Sequence, residues 1–280
     1  MKKQKYIAPG SWFTLEYPAN WHEFEDMEDC FLFYNPDKWT GNFRISAYRG
    51  TNKEYARKCM MDEKAHVKGA EWVKIGEWDC VYSMEKFHEK GVSYVSHIWV
   101  TGKDNLSVEC SFTTMDGESA QEGKDVIATL HIPQMSELQQ MKEIIPIRVL
   151  EINVINESYD WAVSVIKKNL VKDFTSSEKD IKNLQKIVDG DYIQHADRKA
   201  WENIGIAFGS ILENEIDGME WVTSINKTVE MPALRFRESD LIISPMNLIW
   251  DKKSAGVSCD LQSEYDRICA QVESILNGKA

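Results

Sequence analysis

Apolar and polar residues alternate along the first half of the chain. Phe13, Leu15 and Tyr17 are separated by Thr14 and Glu16, and Phe43, Ile45 and Ala47 by Arg44 and Ser46. A period of two marks a strand that buries one face. Residues 30–34 read as a further strand, and Trp78, Cys80, Tyr82 and Met84 alternate again. The runs 92–100 and 106–112 flank Gly102-Lys103-Asp104-Asn105, a loop composition suited to a hairpin. These segments predict an antiparallel sheet. One helix interrupts it, opened by Thr51 with Glu54 three residues on as a capping box and striped by Ala56, Met60 and Val67. A second, over about 119–130, ends before Pro133.

From 134 to 146 the pattern weakens into polar, Met-rich sequence, and beyond it the period changes from 2 to 3.6. Trp161, Val165 and Ile166 stripe one helix. Thr175 and Glu178 are placed to cap a second, which bears Ile181, Leu184 and Val188 and stops at Gly190. Trp201, Phe208, Ile211 and Leu212 stripe a third. The last helix sets Leu261, Tyr265, Ile268, Val272 and Ile275 on one face and stops at Asn277-Gly278. Residues 219–224, 233–236 and 241–244 read as short strands between the third and last helices. The expected organisation is a domain over 1–133, a linker over 134–146 and a helix-rich α+β domain over 147–280.

Composition narrows the class. With 280 residues, 43% of them apolar, the chain can bury two cores. Acidic residues outnumber basic ones 45 to 33, for a net charge of -12. That balance repels nucleic-acid phosphates and anionic lipid alike and favours basic or neutral partners. The start Met1-Lys2-Lys3-Gln4-Lys5 runs into Ile7-Ala8-Pro9-Gly10 instead of an apolar signal core, and no apolar run of about 20 residues follows. The expectation is a cytoplasmic protein that engages neither membrane nor nucleic acid. The six cysteines form no CxxC and sit within apolar patterns such as Leu106-Val108-Cys110-Phe112, as reduced core thiols do.

Candidate chemistry is sparse. A turn at Lys103-Asp104 would set His97 opposite Cys110 on the inward face, whereas a shift of one residue would put Ser96 there. Even paired, a buried Cys lacks the electropositive, accessible setting that makes a thiolate. The histidines show no HxxxH or HExxH spacing, so no metal is expected. The acidic run 23–29 lacks the alternation and glycine of a calcium loop and reads as solvated loop. Gly205 and Gly209, one helical turn apart, mark close helix packing. Arg235 and Arg237 share one face of an expected strand, either gripping an external anion or pairing with internal carboxylates. Trp39, in the loop Pro36-Asp37-Lys38-Trp39-Thr40-Gly41-Asn42, is the aromatic least explained by a core pattern. It is either an interface anchor or a cap on the sheet edge.

Two resemblances add to this reading. Phe13-Thr14-Leu15-Glu16-Tyr17-Pro18-Ala19-Asn20-Trp21, a strand running into a Pro-x-x-Trp turn and followed by strands and a helix, resembles the PsbP-like fold. That fold is shared by the photosystem protein of that name, the Ran-binding Mog protein and the bacterial DcrB-like proteins. The second half resembles an uncharacterised bacterial domain family found C-terminal to such a module. It matches at Gly205-x-x-x-Gly209, Met219-Glu220-Trp221-Val222, Ala233-Leu234-Arg235 and Ser244-Pro245. The resemblances imply a PsbP-like α/β sandwich joined to a helical α+β domain, with no enzyme activity and no cofactor. The better-known PsbP-like members bind proteins, and DcrB-like relatives include chaperones of secreted toxin effectors. The chain departs from the photosystem member in lacking an export signal. The expected function is therefore non-catalytic binding of another protein, as an immunity protein or effector chaperone, with Trp39, Arg235 and Arg237 as partner-binding residues. The alternative is a small-molecule site or enzyme site assembled between domains.

Overall fold

The alternation in the first half folds into two sheets, not one. The computed structural model describes residues 2–27 and 30–278, and its fold class is α+β. Contacts divide the chain into unit 1, residues 1–141 with 226–228, and unit 2, residues 142–225 and 229–280.

In unit 1, β1 (Lys3–Ile7) pairs antiparallel with β2 (Thr14–Pro18), Tyr6 opposite Leu15, as a separate ribbon. Its lysines hide β1 in the sequence, since only Tyr6 and Ile7 of that strand are buried. The main sheet takes β3 (His22–Met27), β4 (Cys30–Tyr34) and β5 (Asn42–Arg49); after α1 (Tyr55–His66) it adds β6 (Glu71–Ile75), β7 (Trp78–Glu89), β8 (Val92–Lys103) and β9 (Leu106–Met115). The order is β3-β4-β5-β9-β8-β7-β6, antiparallel throughout. The acidic run expected as loop is thus strand over its first part, held by pairing of Glu23 with Phe33. Its side chains from Glu25 on, and Glu28 and Asp29 altogether, lie outside what is described.

Register assigns the faces. Phe33, Phe43, Ile45, Trp99, Cys110 and Phe112 share the inner face and form one core with Tyr6, Phe13, Leu15 and Tyr17 of the ribbon. α2 (Gln121–Ile127) closes this core, its Gly123 so near Phe112 that a Cβ would lie 2.7 Å from that residue's Cβ. The helix is shorter than its pattern suggested because beyond Ile127 the Thr129 and Leu130 amides bond back only three residues, to the Val126 and Ile127 carbonyls, as a tight turn. On the outer face α1 packs against β7, β8 and β9, with Ser83 donating to Glu63 at 3.2 Å. Thr51 does not cap α1. Asn52 turns the chain first, its side chain accepting from the Glu54 amide at 3.1 Å, and the helix starts at Tyr55. Of the expected stripe only Ala56 is fully buried.

The weakly patterned segment is structured: α3 (Met135–Leu138) follows a capping box at Gln134, and β10 (Lys142–Pro146) joins the sheet of unit 2. That unit continues with α4 (Val149–Leu170), α5 (Ile181–Asp189), α6 (Arg198–Glu215), β11 (Met219–Asn226), β12 (Val229–Phe236), β13 (Ile242–Ile243), α7 (Pro245–Ser254) and α8 (Leu261–Leu276). Its sheet runs β10-β11-β12-β13. Thr175 and Glu178 do not cap α5: a 3-10 turn, Glu178–Asp180, precedes the helix and carries a Ser177/Asp180 capping box, in which the Asp180 carboxylate collects the Thr175 and Ser177 donors. α8 follows its pattern: Asp260 caps it and Leu261, Tyr265, Ile268 and Val272 are buried. The α6 glycines meet the start of α7. A Cβ on Gly205 would lie 2.3 Å from the Pro245 carbonyl oxygen, and one on Gly209 2.6 Å from the Trp221 ring.

Candidate functional site

Trp39 sits in the loop between β4 and β5, and that loop is pinned at each step. The Asn35 side chain accepts from the Asp37 and Lys38 amides at 3.0 and 3.3 Å, closing an Asx turn. Trp39 donates its indole N–H to Asn42 Oδ1 at 2.6 Å, and Thr40 donates to Glu122 of α2 at 2.6 Å. Gly41, at φ 154°, lies directly on Phe112, where a Cβ would come within 2.4 Å of the ring. The half-buried Trp39 meets Tyr94 edge-on, centroids 6.1 Å apart at 84°, and Tyr94 stacks on Phe87 at 5.4 Å.

These rings wall a cleft of about 480 Å³ on the outer face of the sheet. Outward positions of four strands supply its polar lining: Asn42 and Arg44 from β5, Ser111 and Thr113 from β9, Ser96 from β8 and Glu89 from β7. Ser96 and Thr113 hydrogen-bond each other at 2.6 Å. Trp39 also lines a second cleft of about 480 Å³ that includes Lys38, Thr40, Met115 and Glu122. A fixed ring between two clefts suits binding, since little side-chain freedom remains to be lost when a ligand arrives.

The other candidates are placed as follows. The β8–β9 turn closes at Asp104-Asn105, with Asp104 at φ 52°, one residue later than the turn that would align His97 with Cys110. His97 therefore faces Phe112, and Trp99 faces Cys110. Burial pushes the Cys110 thiol well above its ordinary value and Cys80 to about 11, so both stay protonated. His97 accepts or donates a 2.8 Å hydrogen bond with the Tyr82 hydroxyl and lies beside both the Tyr82 and Trp99 rings, with each centroid 6.0 Å away. Burial, then Lys124, lowers its pKa. Arg235 pairs with Glu220 at 2.7 Å, and Arg237 faces Asp217 at 3.8 Å. The two arginines do not share a strand face, because Arg237 lies past the end of β12 at φ 50°. Among the described residues no group of three or more His, Cys, Asp or Glu could hold a metal ion.

The sequence reading missed two groups. Phe87 and Tyr94 belong to a hairpin whose two-residue turn, Lys90-Gly91 with φ 49° and 82°, was signalled by Gly91 between alternating runs. The second is a buried ion cluster at the start of α4. Arg148 donates to Glu151 at 2.8 and 2.5 Å and to Glu230 of β12 at 2.8 Å, while Thr223 of β11 donates to Glu151 at 3.0 Å. Burial pulls the guanidinium pKa down, but Glu151 and Glu230 hold it raised overall.

A family model described as a domain of unknown function, DUF3805, matches residues 1–156, more than half of the sequence. The chain belongs to the DUF3805 family. A second domain of unknown function, DUF3806, matches residues 180–265 of this DUF3805 protein. It is similar to a crystal structure from Bacteroides thetaiotaomicron VPI-5482 at 45% identity and a TM-score of 0.92, covering 96% of this chain and 99% of that one. Cyanobacterial PsbP (CyanoP) from Synechocystis sp. PCC 6803 aligns at 13% identity and a TM-score of 0.28 over 47% of this chain and 92% of that one. LpqN, involved in cell envelope biogenesis of Mycobacterium tuberculosis, aligns at 13% identity and a TM-score of 0.30 over 48% and 93%. No curated protein matches the DUF3805 chain. Among its described residues no helix is long and apolar enough to cross a membrane.

Proposed function

We propose that this protein is a non-catalytic, protein-binding protein, and that unit 1 recognises its partner through the cleft at Trp39. The observation that supports the reading is the pinned indole, fixed by Asn42 and set edge-on to Tyr94 between two clefts. A rigid Trp beside polar groups is the composition of an interface anchor. On the opposite face of the same sheet the buried thiols stay protonated and His97 faces a phenylalanine, which supports binding over catalysis there. The reading also takes unit 1 as PsbP-like, because the Phe13-to-Trp21 segment forms β2 and its terminal Trp21 stacks on Phe112 at 5.9 Å. Arg235 and Arg237 have the smaller part, since each already faces a carboxylate. An immunity protein or effector chaperone is the narrower form of this role.

The test is affinity capture on the immobilised chain, identification of the bound protein by mass spectrometry, and titration of that protein against Trp39→Ala. The reading expects Kd to rise by a factor of about 10 or more. Unchanged affinity in Trp39→Ala, at unchanged melting temperature, would remove the cleft from the partner site.

A further inference from the structure

β7 is long and its neighbour is short. The strand runs from Trp78 to Glu89 and pairs with β8 from Val81 to Glu89, but on its other side β6 pairs only with Trp78 to Tyr82. The chain entering β6 cannot extend that ladder, because it turns at Val67 and Gly69, where φ is 83°. Past Tyr82 the outer edge of β7 therefore presents backbone N–H and C=O groups on every second residue. Every residue from Met84 to Glu89 is exposed. Among the described residues no backbone hydrogen bond reaches this stretch except from β8. Such an edge is a template for another extended chain.

The side chains on that edge have a defined pattern. Register puts Glu85, Phe87 and Glu89 on the outer face, the face of the Trp39 cleft, and Phe87 and Glu89 line that cleft. Lys86 points to the opposite face and is neutralised by Asp116 at 2.9 Å. Glu85 and Glu89 make no ion pair among the described residues. The edge thus reads carboxylate, ring, carboxylate, on a protein of net charge -12.

We infer that an extended segment of the partner protein adds to this sheet as an eighth strand along Met84–Glu89. This inference rests on the protein-binding role proposed above and names its mode and chemistry. Main-chain hydrogen bonds to β7 supply affinity, and alternate side chains supply specificity. The matching segment bears Lys or Arg, then an apolar residue, then Lys or Arg at alternate positions, so that its cations face Glu85 and Glu89 and its apolar side chain rests on Phe87. Pairing with a second copy of this edge is disfavoured: centred on Phe87 it opposes Glu85 to Glu89, and centred on Lys86 it sets each Phe87 against a Glu85 carboxylate.

The probe is the synthetic peptide Thr-Lys-Val-Leu-Val-Lys-Thr, titrated to about 1 mM into isotopically labelled full-length protein and followed by amide chemical shifts. Shifts of the 84–89 amides are expected. N-methylation of the peptide's alternate backbone amides should abolish them, and replacing both Lys by Glu should weaken binding by a factor of about 10 or more. In Glu85→Lys/Glu89→Lys the preference between the two peptides should reverse. Shifts confined to the Trp39 indole and Tyr94 would overturn strand addition while leaving the cleft as the partner site. No shift at all, or undiminished binding of the N-methylated peptide, would also overturn it. Loss of partner binding in Trp39→Ala is read separately, so failure of the binding role itself is told apart.

Discussion

Arg148 holds a cation inside unit 2 by surrounding it with oxygen. Its guanidinium is 1% exposed and contacts two carboxylates, and Glu151 is fixed in turn by Thr223. Removing one member of a buried ion cluster strands the others. Arg148→Met, which keeps most of the volume, should lower unfolding free energy by about 3–5 kcal/mol, read by urea denaturation at neutral pH. A loss under about 1 kcal/mol would show that water or rearrangement satisfies the two glutamates. Asp180 makes the complementary case. Burial raises its pKa, but bonds from Thr175, Ser177 and Asn183 hold it below 3.8 overall. The unfolded chain therefore takes up this proton first, so the stabilisation is complete above 3.8 and is lost as pH falls through the lower folded value. Asp180→Ala should cost about 1–2 kcal/mol at neutral pH. Its deficit against the native chain should shrink in acid, and a deficit independent of pH would show that the charge is not what matters. Neither residue was legible as structural in the sequence. A glutamate and a serine, Glu151 and Ser158, occupy the buried stripe of α4, where a pattern of apolar residues leaves no trace of them.

At the scale of elements, what could be read depended on how one-sided each element is. α8 presents one buried apolar stripe and a clean cap, and its limits were legible. β1 and β6 have two and one fully buried residues respectively, and both were missed. The Trp39 cleft was legible only in part, because its walls come from a hairpin that registry, not local sequence, brings beside the loop. Two substitutions test element contacts directly. Gly205→Ala gains up to about 1 kcal/mol of helix propensity, yet its Cβ would strike the Pro245 backbone, which cannot move aside as a side chain could. Overpacking of this kind costs about 1–3 kcal/mol. The net expectation is a lower melting temperature, followed by circular dichroism, and a rise would mean that α7 shifts freely. In the β7–β8 turn, Lys90 adopts φ 49°, a region that Asn enters more readily. Lys90→Asn should stabilise by up to about 0.5 kcal/mol, while a decrease would point to a role for the lysine outside the turn.

At the scale of the molecule, the excess of 45 acidic over 33 basic residues acts at a distance that no single contact does. A net negative charge would raise the local concentration of a basic partner and speed its encounter, an effect that salt screens over about 8–10 Å. The contacts proposed after docking, backbone bonds to β7 and packing on Phe87 and Trp39, would lie at short range and respond weakly to salt. The two contributions separate kinetically, because steering governs association and close contacts govern dissociation. Surface plasmon resonance of the captured partner from about 50 to about 300 mM NaCl should therefore show an association rate that falls severalfold or more, with a dissociation rate nearly constant. Trp39→Ala should show the opposite pattern, faster dissociation at every salt concentration with association little changed. If both rates were indifferent to salt, the negative charge would serve solubility alone, and the partner would be neutral at its contact surface.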